Sequence, residues 1–515
     1  MSIFTYVILL ILLSITLPAS ADNDYDIAIV GGRVIDPETG LDDIRNIGIT
    51  GNKIAIVTQK NIQAAKVIDA RGRIVSPGFI DMHAHGQTIL AARMQALDGV
   101  TTGLELESGV LPVSKYYKKL AEKGRPINYG ASANWASARI ATFLNKQPKN
   151  HPSWFQKSMK ETNWQNEIAN EKQLANILAM VEEGLDQGAL GVGFLLGYAP
   201  GTGHKEYNAA TQLAVNASVP TYTHARFLSM LEPSSSFESI QEIISVAAST
   251  GVHAHIVHLN SISLRDIDTI GAAISGAQSK NINITTEAYP YGAGSTSIGA
   301  AMFHGDNWRE KIGGITAHNF DVGGKRLSEQ EFDYLQDKKP ETQTVIHMLD
   351  TTNPQDQAFL DKSVLFPGGV IGSDGGEWLI NGELVDEDIW PIPEKAWSHP
   401  RSAGTFSRFI RLYVRENQQI SLLEAIKKLS YGPAKMLQAS IPQMKFKGRI
   451  QANADADIVI FDLNTVSDKA TYIQPAQASI GFDYVLVNGV PLVEQGQLNT
   501  RLLPGMAIRN KQKKH

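Results

Sequence analysis

The chain carries 13 histidines in 515 residues, and a few stand where histidine is able to hold a metal ion. The stretch PGFIDMHAHG (77–86) sets His83 and His85 one residue apart after an apolar run. On a strand, residues i and i+2 share a face, so both imidazoles point to the same side. Two such groups at a strand end can share a divalent cation. Three more candidates end apolar, strand-like runs in the same way: His224 in VPTYTHAR, His258 in VHAHIVHLN and Asp374 in GGVIGSDGG. Imidazole nitrogen and carboxylate oxygen are both donors that Zn²⁺ accepts. His253 and His255 share a run with His258 but lie earlier, and the odd offset puts His255 on the opposite face, so both read as structural. His151, His204, His304, His318, His347 and His515 have no strand-end setting.

The elements that must position these groups alternate. Apolar strand-like pieces such as GFIDMHAH, VTTGLELES, INYGASANW, ALGVGFLLG and INITTEAYP are separated by amphipathic pieces such as SKYYKKLAEKG, EKQLANILAMVEEGLDQ and SFESIQEIISVAASTG. Strand then helix, eight times over, is the α/β pattern of a (β/α)8 TIM-type barrel, whose chemistry sits at the C-terminal strand ends. All five candidates would then converge on one barrel mouth. Both chain ends have a different texture: YDIAIVGGRVID and DIRNIGITGNKIAIVTQ near the start, ADIVIFDL and FDYVLVNGVPLVEQGQL near the end. Short strands punctuated by Gly and Asn imply a small β-sandwich domain made from both ends. The expected organisation is a signal segment over 1–21, sandwich over 22–78 and 441–515, and a barrel over 79–440. A polar segment at about 300–365, with few strand signals, is expected as an insertion after the seventh strand.

Composition narrows the chemistry. With 43% hydrophobic and 19% charged residues the chain is an ordinary globular one. A net charge of −5 gives no basic footprint for nucleic acid. There is no cysteine, which excludes disulfides, thiol nucleophiles and thiolate metal sites. No GxSxG serine elbow is present either. At the N-terminus, the apolar run from Tyr6 to Leu17 ends near Ala19-Ser20-Ala21, a small-x-small cleavage pattern. It is short for a membrane span. Export to the periplasm or medium is expected, with cleavage near Ala21 and no stable membrane span in the mature chain. A homo-oligomer is compatible with the sequence.

Taken in order, PGFIDMHAHG, GVTTGLELESG, GALGVGFLLGYAPG, THAR, IVHLN, EAYPYGAGST, IGSDGG, HPRSAGTF and ADIVIFDL resemble the amidohydrolase superfamily. HPRSAGTF and YPYGAGST resemble its D-aminoacylase (N-acyl-D-amino-acid deacylase) branch in particular. The resemblance spans residues 26 to about 495. It implies that His83 and His85 hold the more buried of one or two divalent cations, most simply Zn²⁺, and that His224 and His258 hold the more exposed one. Asp374 resembles the strand-eight aspartate that binds metal and handles protons, so it is the implied catalytic residue. Tyr198, Tyr289, Ser295 and Arg401 fall where such deacylases contact substrate, with Arg401 expected to grip the amino-acid carboxylate in a two-pronged contact. The implied partner is a small acyl-amino-acid or dipeptide.

The departures are informative. That branch places a bridging cysteine at the end of strand two, where this chain has Ser108 preceded by Glu107. A carboxylate can give two oxygens to two cations and a serine cannot, so Glu107 is the expected bridge and Glu105 the runner-up. GALGVGFLLG supplies no strand-four lysine to bridge instead. Asn260 stands where a lysine is common, leaving Arg401 to meet the carboxylate alone or with Arg226 or Arg139. Glu287 replaces a usual aspartate. The implied reaction is metal-assisted hydrolysis of an N-acyl-D-amino acid, N-acyl-D-glutamate among them. A dipeptidase, or a cyclic-amide hydrolase of the dihydroorotase or hydantoinase kind, remains the alternative. A non-catalytic exported binding protein is a third reading, and the intact donor set argues against it.

Overall fold

The computed structural model describes residues 24–385 and 388–511. The expected signal segment, 1–21, lies outside them. Among the described residues no helix is long and apolar enough to cross a membrane.

Eight strands form the expected barrel. In chain order they are β1 (Phe79–Asp81), β2 (Val100–Val110), β3 (Asn128–Asn134), β4 (Val192–Leu195), β5 (Thr221–His224), β6 (Ala254–Ile256), β7 (Ile284–Ala288) and β8 (Val370–Ile371). Neighbours follow sequence order from β1 to β8 and every ladder is parallel. β4 and β6 are buried along their whole length, as strands covered on both faces must be. The ring closes through a bridge between Ala84 and Gly375. Buried Asp81 locks that seam, accepting the backbone N–H groups of His83 and Ser373 at 3.0 Å each and the Ser373 hydroxyl. The closure holds the His83–His85 strand end against the segment that carries Asp374.

The surrounding helices start where the sequence caps them. Asn170 and Gln173 form a reciprocal capping box ahead of Glu171–Asp186, as Ser235 and Glu238 do ahead of Ser236–Thr250. Ile177, Val181 and Leu185 bury one stripe of the first helix; Ile240, Ile243 and Ala247 do so on the second. Gly251 ends the second in the left-handed conformation, φ 74°.

Both chain ends meet in one continuous nine-stranded sheet. Ile74–Pro77 runs antiparallel to Ile458–Phe461, joining the N-terminal strands to the C-terminal ones. The sheet wraps a core that includes Ile29, Ile47, Ile49, Ile458 and Ile460. Phe79, the first residue of β1, stacks on Phe406 at 5.7 Å and meets Phe461 and Phe482 edge-on. One ring thus ties the sheet to the barrel.

The segment between β7 and β8 differs from the expectation of a strand-poor insertion at about 300–365. It contains a four-stranded antiparallel sheet ordered Ala293–Ser297, Gln343–His347, Phe320–Val322, Lys325–Arg326. The first strand lies upstream of the expected start. Phe303, Phe320, Phe332, Ile298 and Ile346 give this lobe its own core. Its strands are two to five residues long, and the pair Ala293–Ser297 with Gln343–His347 spans about fifty residues of chain, so local alternation is too short to reveal them.

Candidate metal centre

The expected donors converge at the C-terminal mouth of the barrel. His83 Nε2, His85 Nε2, Glu107 Oε2 and Asp374 Oδ1 surround one point. The two imidazole nitrogens are 3.1 Å apart. Glu107 Oε2 is 3.2 Å from each of them, and Asp374 Oδ1 is 3.4 and 3.2 Å from the His83 and His85 nitrogens. Ligands at zinc's N and O bond lengths of about 2.05 Å lie about 3.3 Å apart in a tetrahedron. The five measured edges match that shell. The same carboxylate's other oxygen, Glu107 Oε1, is 2.9 Å from His224 Nδ1 and 2.9 Å from His258 Nε2, and those two nitrogens are 3.0 Å apart. This is a three-donor site with room for a further ligand, the pattern of a catalytic metal site. The donor set would therefore suit one divalent cation in each group, with Glu107 offering one oxygen to either side. Glu105 and Ser108 belong to neither group.

Local structure explains why Glu107 reaches the centre. Along β2 and β3, Glu105 pairs with Ala131 but Val110 pairs with Ala133, so β2 carries extra residues between these points. The resulting bulge carries Glu107 across the mouth, as bulges near active sites re-aim side chains. Gly193 on β4 makes the room. A Cβ there would lie 2.1 Å from the Glu107 carbonyl oxygen, so the backbone of β2 fills the inward position of strand four. Asp374 and His258 both have positive φ, 52° and 33°. That is uncommon for non-glycine residues and clusters at functional sites.

A second layer orients the imidazoles, and the sequence reading missed most of it. Glu287 on β7 bonds His83 Nδ1 on one side and His255 Nε2 on the other, the latter at 3.2 Å. Glu105 holds His85 Nδ1 at 2.9 Å. The Ser261 hydroxyl holds His258 Nδ1 at 2.9 Å. With these Nδ1 atoms engaged, the Nε2 atoms of His83, His85 and His258 face the centre. The inward period of β7 was the available signal for Glu287. His255 is buried beneath the cluster, consistent with a structural part.

Electrostatics keep the carboxylates ionised. Burial pushes the Glu107 carboxyl up, but His83 and hydrogen bonds from His224 and His258 outweigh it and hold it well below the usual range. Burial likewise opposes ionisation of Asp374, and the nearby charges of Arg401 and His83 bring its pKa below normal.

Tyr198, Tyr289, Ser295 and Arg401 line the same cavity, about 830 Å³, that the metal donors face. Arg401 Nη2 is 2.9 Å from Asp374 Oδ2, and its guanidinium lies over the Tyr289 ring, 4.7 Å from the centroid. Its Nε and Nη1 are buried and have no hydrogen-bond partner among the described residues. Nη2 carries two N–H groups and meets Asp374 through one contact, so one parallel donor pair, Nη2 with Nε or with Nη1, stays open for a two-pronged grip. Tyr198 has its hydroxyl 2.7 Å from Thr296 Oγ1 and its ring against His224, tying the inserted lobe to the barrel. Of the two expected alternatives, Arg401 alone or with Arg226 or Arg139, the structure favours the first, because both other arginines are held elsewhere. Arg226 is held by Glu242 and by the carbonyls of Pro200 and Thr202. Arg139 is held by Glu206 and by the carbonyls of Trp164 and Glu167. Asn260 donates to the Tyr291 carbonyl and accepts from the Tyr289 N–H, pinning the turn after β7.

Known proteins share this fold. The sequence pattern of the amidohydrolase family matches residues 66–353. The N-acyl-D-glutamate deacylase of Alcaligenes xylosoxydans xylosoxydans is 26% identical over 517 residues, 94% of this chain and 96% of that one. The crystal structure of a D-aminoacylase said to define a novel subset of amidohydrolases superposes with a TM-score of 0.75 at 22% identity, over 95% of this chain and 100% of that one. The N-acyl-D-glutamate deacylase of Bordetella bronchiseptica, solved with zinc and a phosphonate mimic of the tetrahedral intermediate, gives 0.73 at 21% identity over 94% and 99%. With a (β/α)8 barrel, a sheet built from both chain ends and His and carboxylate donors converging at the strand ends, the chain belongs to the amidohydrolase family, whose enzymes hydrolyse amide bonds.

Proposed function

We propose that the protein deacylates N-acyl-D-amino acids, using one or two divalent cations, most simply Zn²⁺. The observation that carries the reading is the juxtaposition of the donor shell with Arg401, whose two unpaired N–H-bearing nitrogens are buried beside Asp374. A buried guanidinium with unmet donors is costly unless an anion completes it, and the α-carboxylate of an acyl-amino acid is such an anion. The full-length relative supports a deacylase over the cyclic-amide alternative.

His83, His85, Glu107 and Asp374 would hold one cation, and Glu107, His224 and His258 a second. When bound there, a divalent cation supplies Lewis-acid polarisation of the amide carbonyl and lowers the pKa of water from ~16 toward ~7. Asp374 is placed to move the proton. Its Oδ1 belongs to the four-donor group, which leaves Oδ2, oriented by Arg401, to take a proton from the attacking water and pass it to the leaving amine nitrogen. Arg401 Nε or Nη1 orients the substrate carboxylate. The Tyr289 phenol, buried and with its pKa raised by that burial, stays neutral and can donate to the developing oxyanion. Cys-free, Ser-elbow-free chemistry needs no covalent intermediate. The N-terminal apolar run and its small-x-small end support export and action outside the cytoplasm.

The test is hydrolysis of paired N-acetyl-D- and N-acetyl-L-amino acids and D-containing dipeptides, with metal content measured on the same sample. The expected result is D-selective amine release that requires stoichiometric metal and falls at least 10³-fold in Asp374→Asn. Full activity without metal, or an undiminished Asp374→Asn, would sink the reading.

A further inference from the structure

The cavity is larger than a simple acetyl-amino acid requires. At about 830 Å³ it sits near the upper end for sites that enclose drug-sized ligands. Its two sides differ. Arg401 and Tyr289 follow β8 and β7, and they define where the amino-acid half of a substrate lies. In an eight-strand ring β3 and β4 stand opposite β7 and β8, so the segment after β3, with the adjoining segment after β2, forms the far wall, on the acyl side of the scissile bond.

That far wall is apolar near the metal centre and cationic at its outer end. Val110, Trp154 and Phe155 line its inner part. Lys115, Lys119 and Lys149 line its rim, and all three are exposed. Lys115 and Lys119 are four apart on the helix Val113–Lys123, hence on one face. Asn150 donates to the Pro112 carbonyl at 3.0 Å, which fixes the Lys149 loop beside the start of that helix. None of the three lysines is hydrogen-bonded or ion-paired among the described residues, whereas Lys118 on the same helix reaches Glu122. Glu383 lines the same cavity, and the other lining carboxylates, Glu105, Glu107, Asp374 and Glu377, are engaged by His85, His224, Arg401 and Thr88. In a chain of net charge −5, three unpaired lysines gathered at one end of one cavity form a local positive field.

We propose that this arm is an acyl subsite for an extended acyl group with an apolar body and an anionic end, such as an ω-carboxyacyl chain. The proposal rests on the deacylase reading, because that reading sets which half of the substrate faces the rim. The apolar stretch takes the methylenes and the lysines meet the terminal carboxylate.

The experiment compares N-adipoyl-D-leucine with N-hexanoyl-D-leucine, equal in acyl length and different in terminal charge, on the metal-loaded full chain. Expected is a kcat/KM for the adipoyl compound about five- to thirtyfold higher at low ionic strength, shrinking toward parity at 0.5 M salt, as for a few exposed ion pairs. In Lys115→Glu/Lys119→Glu the adipoyl-to-hexanoyl ratio should fall to one or below, and Lys115→Gln/Lys119→Gln should give an intermediate ratio. Equal loss for both substrates would mean that the rim acts on the amino-acid carboxylate and would overturn the proposal. So would a wild-type ratio near one. Failure to hydrolyse any N-acyl-D-amino acid is a different result and refutes the deacylase reading. Calorimetric Kd values for the same two compounds then still decide the subsite, with tighter adipoyl binding expected and equal binding overturning it.

Discussion

Glu107→Gln is the sharpest probe of the site, because one side chain serves both donor groups. The substitution keeps the shape and removes the charge. On one side, Oε2 is a member of a four-donor shell with edges of 3.1 to 3.4 Å. On the other, Oε1 completes a group whose remaining members are His224 and His258. Loss of an outer-layer partner typically costs 10- to 100-fold in metal affinity. Loss of a shared ligand should therefore cost at least about 100-fold at the three-donor site, or about 2.7 kcal/mol at 1.36 kcal/mol per tenfold. The four-donor site keeps His83, His85 and Asp374 and should survive weakened. The assay is equilibrium dialysis against buffered Zn²⁺ with elemental analysis, alongside competition with a chromophoric chelator. Wild type should hold two ions per chain and Glu107→Gln at most one. Glu105→Gln is the comparator. It loses only the outer partner of His85, so it should weaken one site by 10- to 100-fold and still fill both at saturation. If Glu107→Gln retains two ions with affinities within about threefold of wild type while Glu105→Gln loses one, the bridging assignment is wrong.

Other perturbations test the supports. Gly193→Ala places a Cβ 2.1 Å from the Glu107 carbonyl oxygen, so zinc occupancy by elemental analysis should fall while the circular dichroism spectrum remains that of a folded α/β protein; unchanged occupancy would contradict the spacer role. Arg139→Met leaves buried Glu206 without the cation that holds it at 2.7 Å, which should cost about 3–5 kcal/mol in urea unfolding, and adding Glu206→Gln should recover part of the loss. Lys428 is buried, with Nζ bonded to the Phe366 and Gly369 carbonyls, and burial lowers its pKa from 10.5 to about 8. The unfolded chain then binds more protons between pH 8 and 10.5, so this group's contribution to stability rises across that window and is lost as pH falls through about 8, by up to ~3 kcal/mol. Lys428→Met should lack that rise, read as the difference in Tm against pH between the two proteins, and parallel curves would refute it. Arg401→Lys should lower kcat/KM about 10- to 100-fold at unchanged metal content, since a hydrogen bond to a charged group is worth about 1.5–3 kcal/mol; metal loss instead would assign Arg401 to supporting Asp374.

The sequence by itself determined the periodic features. Alternation of strand and helix set the barrel, the matching texture of the two ends set the shared sheet, and strand-end placement picked out His83, His85, His224, His258 and Asp374. Those inferences work because a strand's side-chain period is local and the mouth of a barrel is fixed by the fold. The tertiary structure decided what depends on contacts between distant segments. Glu105 and Glu107 share a face in LELES, and although the sequence ranks Glu107 first, it is the bulge of β2 against Gly193 that sends one to the centre and the other to His85. Arg139, Arg226 and Arg401 are alike as residue types, yet buried partners claim the first two and leave only the third with unmet donors in the cavity. The inserted lobe pairs its two five-residue strands across about fifty residues, and Glu287 reaches His83 across 204 residues of chain. Such pairings follow from the packed barrel and have no local period in the sequence to announce them.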